Sequence, residues 1–184
     1  LKELEVRQYL LEVIQENEPA YELYLDSGFE VTRSLLCHQL SSRNELVTKK
    51  VVLSTAQIIE LAEPQWDLFE RFWTCPPSWQ NSIDSLRAKL DDFILLGVSD
   101  EGRIVGYGFI HRRSGDIPQF AISENHRRRG LGSRLMRELV ARSNAEPIKV
   151  LNIDERDPAT HEFLTAQGFT GLVEQFEMLK PLAP

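Results

Sequence analysis

The chain has 184 residues, 42% of them hydrophobic, with 9 prolines and 10 glycines scattered rather than clustered; this is the composition of a soluble globular protein of one domain or one and a fraction. With 28 acidic against 21 basic residues the formal charge is -7, which repels polyphosphates and anionic membranes and sets nucleic acid and lipid surfaces aside as partners. No apolar run approaches the roughly 20 residues that span a bilayer, and no charged-then-apolar leader opens the chain, so a cytoplasmic location is expected.

Cys37 and Cys75 have neither metal-like spacing nor a companion histidine motif, and two cysteines make no disulfide framework; they read as buried free thiols. The histidines at 38, 111, 126 and 161 are equally dispersed, so no metal site is expected.

In chain order, "LKELEV" at residues 1–6 reads as the tail of an amphipathic helix, and a start at Leu1 suggests a piece of a longer protein. "YLLEVI" at 9–14 reads as a strand, "EPAYELYLDS" as a helix, and "GFEVTRSLLCHQL" as a strand after a glycine stop. "SSRNEL" at 41–46 is polar and reads as a linker. "KVVLSTAQ" at 50–57 is strand-like, and residues 58–90 read as a long, mostly helical region interrupted by "CPPS" at 75–78. Trp66, Phe69, Phe72 and Trp73 recur there at helical spacing; they could face a substrate, although core packing is the simpler role.

"FILLGVS" at 93–99 and "IVGYGFIHR" at 104–112 flank the turn "SDEGR" and predict an antiparallel hairpin, with "IPQFAIS" at 117–123 as a third strand. Leu131, Leu135, Met136, Leu139 and Val140 trace the apolar stripe of a helix, and the strand "IKVLNI" follows.

The end of the chain repeats its beginning. A gapless offset of 140 residues places Leu11 on Leu151, Glu22 on Glu162, and Gly28-Phe29 on Gly168-Phe169. On this reading residues 1–40 are the last third of one unit, 41–46 a linker, and 47–184 a complete second unit. The strand of the partial unit would lack a neighbour, so docking on the complete unit's sheet or on a second chain is expected.

Between strand and helix lies "HRRRGLG", residues 126–132. Such a turn presents successive backbone N–H groups at the positive end of a helix dipole, with Gly130 and Gly132 allowing close approach and arginines adding charge. An anion site and a solvated basic turn are both compatible with these residues. No G-x-x-x-x-G-K-[ST] motif is present, and G-x-G without its third glycine is a poor dinucleotide fingerprint.

Arg127-x-x-Gly130-x-Gly132 resembles the [QR]-x-x-G-x-[GA] loop of the GNAT acyltransferase superfamily. "ATHEFLTAQGF" and "LEVIQENEPAYELYLDSGFEVTR" resemble that family's C-terminal segment, so nearly the whole chain looks like a truncated tandem member. The resemblance implies an α/β fold: a mixed, mostly antiparallel central sheet flanked by helices, with a partial second unit at the N-terminus. It implies acetyl-CoA as cofactor, with the pyrophosphate held at Arg127, Arg128, Arg129, Gly130, Leu131, Gly132 and Ser133, pantetheine at Ile122, and a further contact at Asp157.

Acyl transfer to an ammonium needs a base and a donor for the developing oxyanion. The family carboxylate position falls on Asp116, which could equally be a turn aspartate capping its own backbone. The thiolate-protonating tyrosine position falls on Leu164, with Tyr24 in the partial copy, and His161 one turn earlier is a substitute acid or a plain helix histidine. The implied activity is direct transfer of acetyl to a primary amine; a catalytically silent CoA-binding or interaction domain is the alternative. Acidic residues such as Asp91, Asp92, Asp116 and Glu124 suit a cationic acceptor.

Overall fold

A computed structural model of the chain describes residues 6–47 and 55–182. The expected helix tail at 1–5 and the strand start at 50–54 lie outside the described residues.

Two β-α-β units built at the same spacing bracket the chain. β1 (Gln8–Ile14), α1 (Glu18–Asp26) and β2 (Glu30–Leu40) recur 140 residues later as β7 (Ile148–Asp154), α5 (Pro158–Ala166) and β8 (Thr170–Pro181). The same local chemistry sets both: Asn17 caps α1 by accepting from the Ala20 N–H, Asp157 caps α5 by accepting from the Thr160 N–H, and each helix has proline in its first turn. Gly28 (φ +85°) and Gly168 (φ +98°) then turn the chain into the following strand.

The units share one antiparallel sheet by exchanging strands, in the order β1-β8-β2-β7. Leu35 of β2 pairs with Gln175 of β8, its own counterpart in the repeat, so a local two-fold axis runs between these strands. Leu35 and Leu40 are fully buried and Cys37 nearly so, and Leu40 joins the core cluster containing Val150, Leu164 and Phe169. Hydrophobic burial thus ties the N-terminal unit into the same core. The polar stretch at 41–46 contains a single 3-10 turn (Arg43–Glu45), whose Arg43 N–H donates to Glu146.

The two copies of the glycine are not equivalent. A methyl at Gly168 would stand 2.5 Å from the Glu45 carbonyl oxygen, whereas at Gly28 the nearest atom is a lysine side-chain carbon at 3.9 Å. Gly168→Ala adds overpacking against backbone to left-handed strain and is expected to cost about 2–3 kcal/mol, against about 1 kcal/mol for Gly28→Ala. Urea midpoints of the two variants, compared with the parent, check this.

The second sheet has the order β3-β4-β5-β6. β4 (Phe93–Asp100) and β5 (Arg103–His111) form the expected hairpin, with Glu101 and Gly102 both at positive φ in the turn. β6 (Phe120–Ile122) is shorter than the run at 117–123. α4 (Leu131–Arg142) packs Leu131, Leu135, Met136, Leu139 and Val140 into the core as its stripe requires.

The expectation of a long helical region at 58–90 is corrected. Residues 57–60 form β3, and beyond them stand only two short helices, α2 (Trp66–Phe69) and α3 (Ile83–Arg87), joined by 3-10 turns. Pro64, Pro76 and Pro77 lack N–H donors, and the Ser82 side chain starts α3 afresh by accepting from the Ser85 N–H. Phe69 and Phe72 form a second core cluster with Tyr107 and Phe109.

Candidate active site

The two sheets meet along a single short seam and then part. At Asp116 and Lys149 the chains bridge in parallel, with the Ile117 N–H donating to the Lys149 carbonyl at 2.8 Å. Among the described residues β6 pairs beyond this seam only with β5, and β7 only with β2, leaving a wedge between β6 and β7. A cavity of about 540 Å³ fills the wedge, lined on one side by residues 118–122 and on the other by 152–154.

The strand ladder decides which backbone groups face this gap. The Phe109 N–H donates to Gln119 and the Ser123 N–H to Val105, so odd-numbered residues of this segment bond to β5 and Phe120 and Ile122 turn theirs to the wedge. The Ile122 carbonyl accepts from Arg127 Nε at 3.0 Å, while the Ile122 N–H faces the gap.

The loop into α4 closes one end. Arg128 (φ +61°) and Gly130 (φ +77°) are left-handed, which turns successive N–H groups of the loop and of the first turn of α4 in one direction. Arg128, Gly130, Gly132 and Ser133 line the cavity. A methyl at Gly132 would press on Phe163 of α5 at 3.3 Å, so the missing side chain keeps the approach to these N–H groups open. Arg127 lines the cavity too, but its guanidinium is engaged, bonding Ile122 and the Phe72 carbonyl. Leu131 is turned into the core, and only its backbone belongs to the loop. Arg129 is exposed and outside the lining. Asp157 lines the cavity while capping α5, with Oδ2 accepting from the Thr160 hydroxyl.

The two acid–base candidates are not brought into the cavity. Asp116 sits at the closed seam, where its Oδ2 accepts from the Ser114 hydroxyl. His161 faces away: its Nε2 lies 3.0 Å from the Asp154 carbonyl and its Nδ1 3.0 Å from His38 Nε2. Because a carbonyl only accepts, His161 Nε2 carries the proton and Nδ1 accepts from His38, so both ring nitrogens are in use. Leu164 is fully buried in the core rather than facing the wedge. Asp91, Asp92 and Glu124 also lie outside the lining.

The His38–His161 pair carries a pH dependence. Burial, and then the neighbouring His161, push the His38 pKa down. Unfolded histidine takes up its proton near pH 6.5, so stability is complete above that pH and falls as pH drops below it, with a slope of at most about 1.4 kcal/mol per unit for one proton. Urea unfolding at a series of pH values should show this fall, and His38→Asn should flatten it.

Of the aromatics that could face a substrate, Phe72 and Trp73 line the cavity, while other wall residues carry no signal in the sequence. Trp73 Nε1–H donates to the Tyr107 hydroxyl (2.6 Å), which donates to Gln119 (2.8 Å), which donates to the Asn81 carbonyl (2.6 Å). Pro76 and Pro77 are held by Arg33 of the N-terminal unit, whose guanidinium donates to both carbonyls (2.7 and 3.0 Å), to Glu177 and to Asp154. Asp154 also takes a two-pronged bond from Arg156, and with these partners its carboxyl is held down at about 2. Asn152, left-handed at φ +62°, donates to Glu12 of β1, whose pKa burial pushes up.

The sequence profile of the Acetyltransferase (GNAT) family matches residues 57–169, and the chain belongs to that family. No curated protein sequence matches the chain. Among solved structures, the GCN5-related N-acetyltransferase of Sphaerobacter thermophilus is similar over 97% of this chain and 61% of its own, at TM-score 0.65 and 16% identity. The corresponding protein of Kribbella flavida is similar over 95% and 68%, at 0.64 and 13%. A tandem GNAT protein from the clavulanic acid biosynthesis pathway is similar over 100% and 66%, at 0.63 and 11%. The chain therefore spans about two thirds of the length of these proteins, which share its fold.

Among the described residues no cluster of His, Cys, Asp or Glu side chains could hold a metal ion, and no helix is long and apolar enough to cross a membrane.

Proposed function

We propose that the chain is an acetyl-CoA-dependent N-acetyltransferase that passes the acetyl group directly to the primary amine of an acceptor in the cytoplasm. The observation that carries this reading is the wedge between β6 and β7, continuous with the N–H groups of the Arg127–Ser133 loop. The residues suit the cofactor: Gly132 keeps the helix N-terminus open, and Arg128 adds charge where a pyrophosphate would lie. Bound there, the cofactor would supply an activated acetyl thioester. The Ile122 N–H, which faces the gap, would donate to the thioester oxygen as negative charge develops. The unit β1-α1-β2 is read as the C-terminal part of a further GNAT unit, whose Arg33 and Glu12 hold the lining residues Pro76, Pro77, Asp154 and Asn152 from behind.

Calorimetric titration with acetyl-CoA tests the reading. Micromolar binding is expected, weakened at least about a hundredfold, or about 2.7 kcal/mol, by Gly132→Glu and by Ser133→Glu, which place a carboxylate against the pyrophosphate. Ser133 lies on the partly exposed helix surface, so its variant separates charge repulsion from crowding against Phe163. No binding by the parent chain overturns the proposal. The displacement of Asp116 and His161 from the cavity favours a second reading, a CoA-binding unit without turnover; binding with no thiol release over an amine panel selects it.

A further inference from the structure

β7 carries one residue more than the strand it pairs with. Its ladder with β2 joins Val150 to His38 and Ile153 to Leu36, so Leu151 and Asn152 together face Cys37. This is a β-bulge, and Asn152 takes its left-handed position at φ +62°. A bulge bends its strand and tightens the twist. This one falls just beyond Lys149, where β7 leaves the Ile117 seam and the wedge begins.

The repeat supplies a control. Under the offset of 140 residues β7 corresponds to β1, β8 to β2, and Asn152 to Glu12. β1 pairs with β8 through all 7 of its residues without a shift, and Glu12 is not left-handed. The bulge therefore belongs only to the edge that borders the cavity and is no part of the shared β-α-β pattern.

The bulge is held from the N-terminal unit. Asn152 is 4% exposed. Its Nδ2 donates to Glu12 Oε2 at 2.6 Å and to Gln80 Oε1 at 3.1 Å, its Oδ1 accepts from Cys37 Sγ at 3.3 Å, and its N–H donates to that sulfur at 3.4 Å. Glu12 thus bonds the residue that is its own counterpart in the repeat. Gln80 is exposed and sulfur bonds are weak, which leaves the carboxylate as the strongest tie. A left-handed residue other than glycine is strained and persists only where its surroundings impose it.

Glu12 has no comparable task elsewhere. Among the described residues it forms no ion pair, and its Oε1 is buried without a hydrogen bond. It stands directly across from Glu177 of β8. Burial first, and then that second carboxylate, push its pKa up. A carboxylate so placed costs stability, and its shortest bond goes to Asn152.

We propose that Glu12 is a positioning residue for the transfer site: by accepting from Asn152 it fixes the bulge that bends β7 away from β6, and so sets the width of the wedge where the acetyl thioester and its acceptor meet. This rests on the N-acetyltransferase reading. Glu12 lies outside the lining of the cavity and acts on it only through Asn152, which is part of that lining. The N-terminal unit thereby shapes the site without entering it.

Calorimetry with two ligands tests this: acetyl-CoA, which needs both loop and wedge, and ADP, which reaches only the phosphate loop. Glu12→Ala should weaken acetyl-CoA at least about tenfold, or about 1.4 kcal/mol, and ADP by less than about twofold. Glu12→Gln, whose side-chain carbonyl can still accept from Asn152, should restore most of the loss. Asn152→Gly takes the left-handed conformation freely, so adding Glu12→Ala to it should cost less than about twofold more. A merely structural Glu12 would lower the urea midpoint and weaken both ligands or neither. Alkylation of Cys37, 1% exposed against Asn152, reads the bulge with no ligand present. Mass spectrometry separates it from Cys75, half-exposed in the cavity wall. Cys37 should react at least about tenfold faster in Glu12→Ala than in the parent, and Glu12→Gln should reverse most of that rise. Equal effects of Glu12→Ala on the two ligands, whether losses or none, overturn the inference, as does unchanged Cys37 alkylation. If the parent binds no acetyl-CoA, the transferase reading falls instead, and Cys37 opened by alanine but covered by glutamine still upholds the grip of Glu12 on the bulge.

Discussion

Replacing Arg33 by methionine is expected to destabilise the fold by about 3–5 kcal/mol, the usual cost of removing one partner from a buried ion pair. The guanidinium side chain is 13% exposed and touches two carboxylates exposed by only 3% and 8%. Its removal leaves Glu177 with only the Thr32 hydroxyl and the Trp79 N–H. Asp154 keeps Arg156, so the loss falls mainly on Glu177 and on the Pro76 and Pro77 carbonyls. Arg33→Lys should recover the charge but less than half of the stability, because an ammonium cannot serve four diverging acceptors as the planar fork does. Urea unfolding measures the stability, and faster Cys75 alkylation reports loosening of the wall. A change below about 1 kcal/mol in both variants would show that Arg33 is not the tie between the units.

The second large effect is expected at Phe69, also at about 3–5 kcal/mol for Phe69→Ala. This ring is fully buried, and its face lies 3.8 Å from the Tyr107 ring at 3° between planes. Tyr107 anchors the chain of bonds through Trp73, Gln119 and Asn81. An alanine would therefore empty the second core cluster and loosen one wall of the cavity together. Phe69→Leu keeps most of the volume and should cost less than half as much. Thermal unfolding of the two variants gives the ordering, and equal losses would argue against a packing origin.

Much of the architecture was legible because its signals are local. The apolar runs, the glycine stop and the repeated Gly-Phe pairs announced both β-α-β units, and the leucine stripe announced α4. The aromatic spacing at 66–73 misled, since a period near 3.6 persists across two short turns that the prolines and Ser82 keep from joining. Of the candidate site, the glycine loop could be read because backbone conformation there is written in glycine. Asp116 and His161 could not be placed, because whether a side chain faces the wedge depends on where the sheets part and which strand lies beside β7. Arg33 was missed for the same reason: it acquires its partners only through the strand order.

That order constrains how the chain can fold. β8 is the neighbour of both β1 and β2, and the other neighbour of β2 is β7. During synthesis residues 8–40 can find none of the sheet partners seen among the described residues until residue 148 and beyond have emerged, so the earlier segment waits for the later one. Closing such long loops is entropically costly and slow, and an apolar strand such as β2 is open to wrong pairing while it waits. The strand exchange that binds the units into one sheet is thus also the step that must come last.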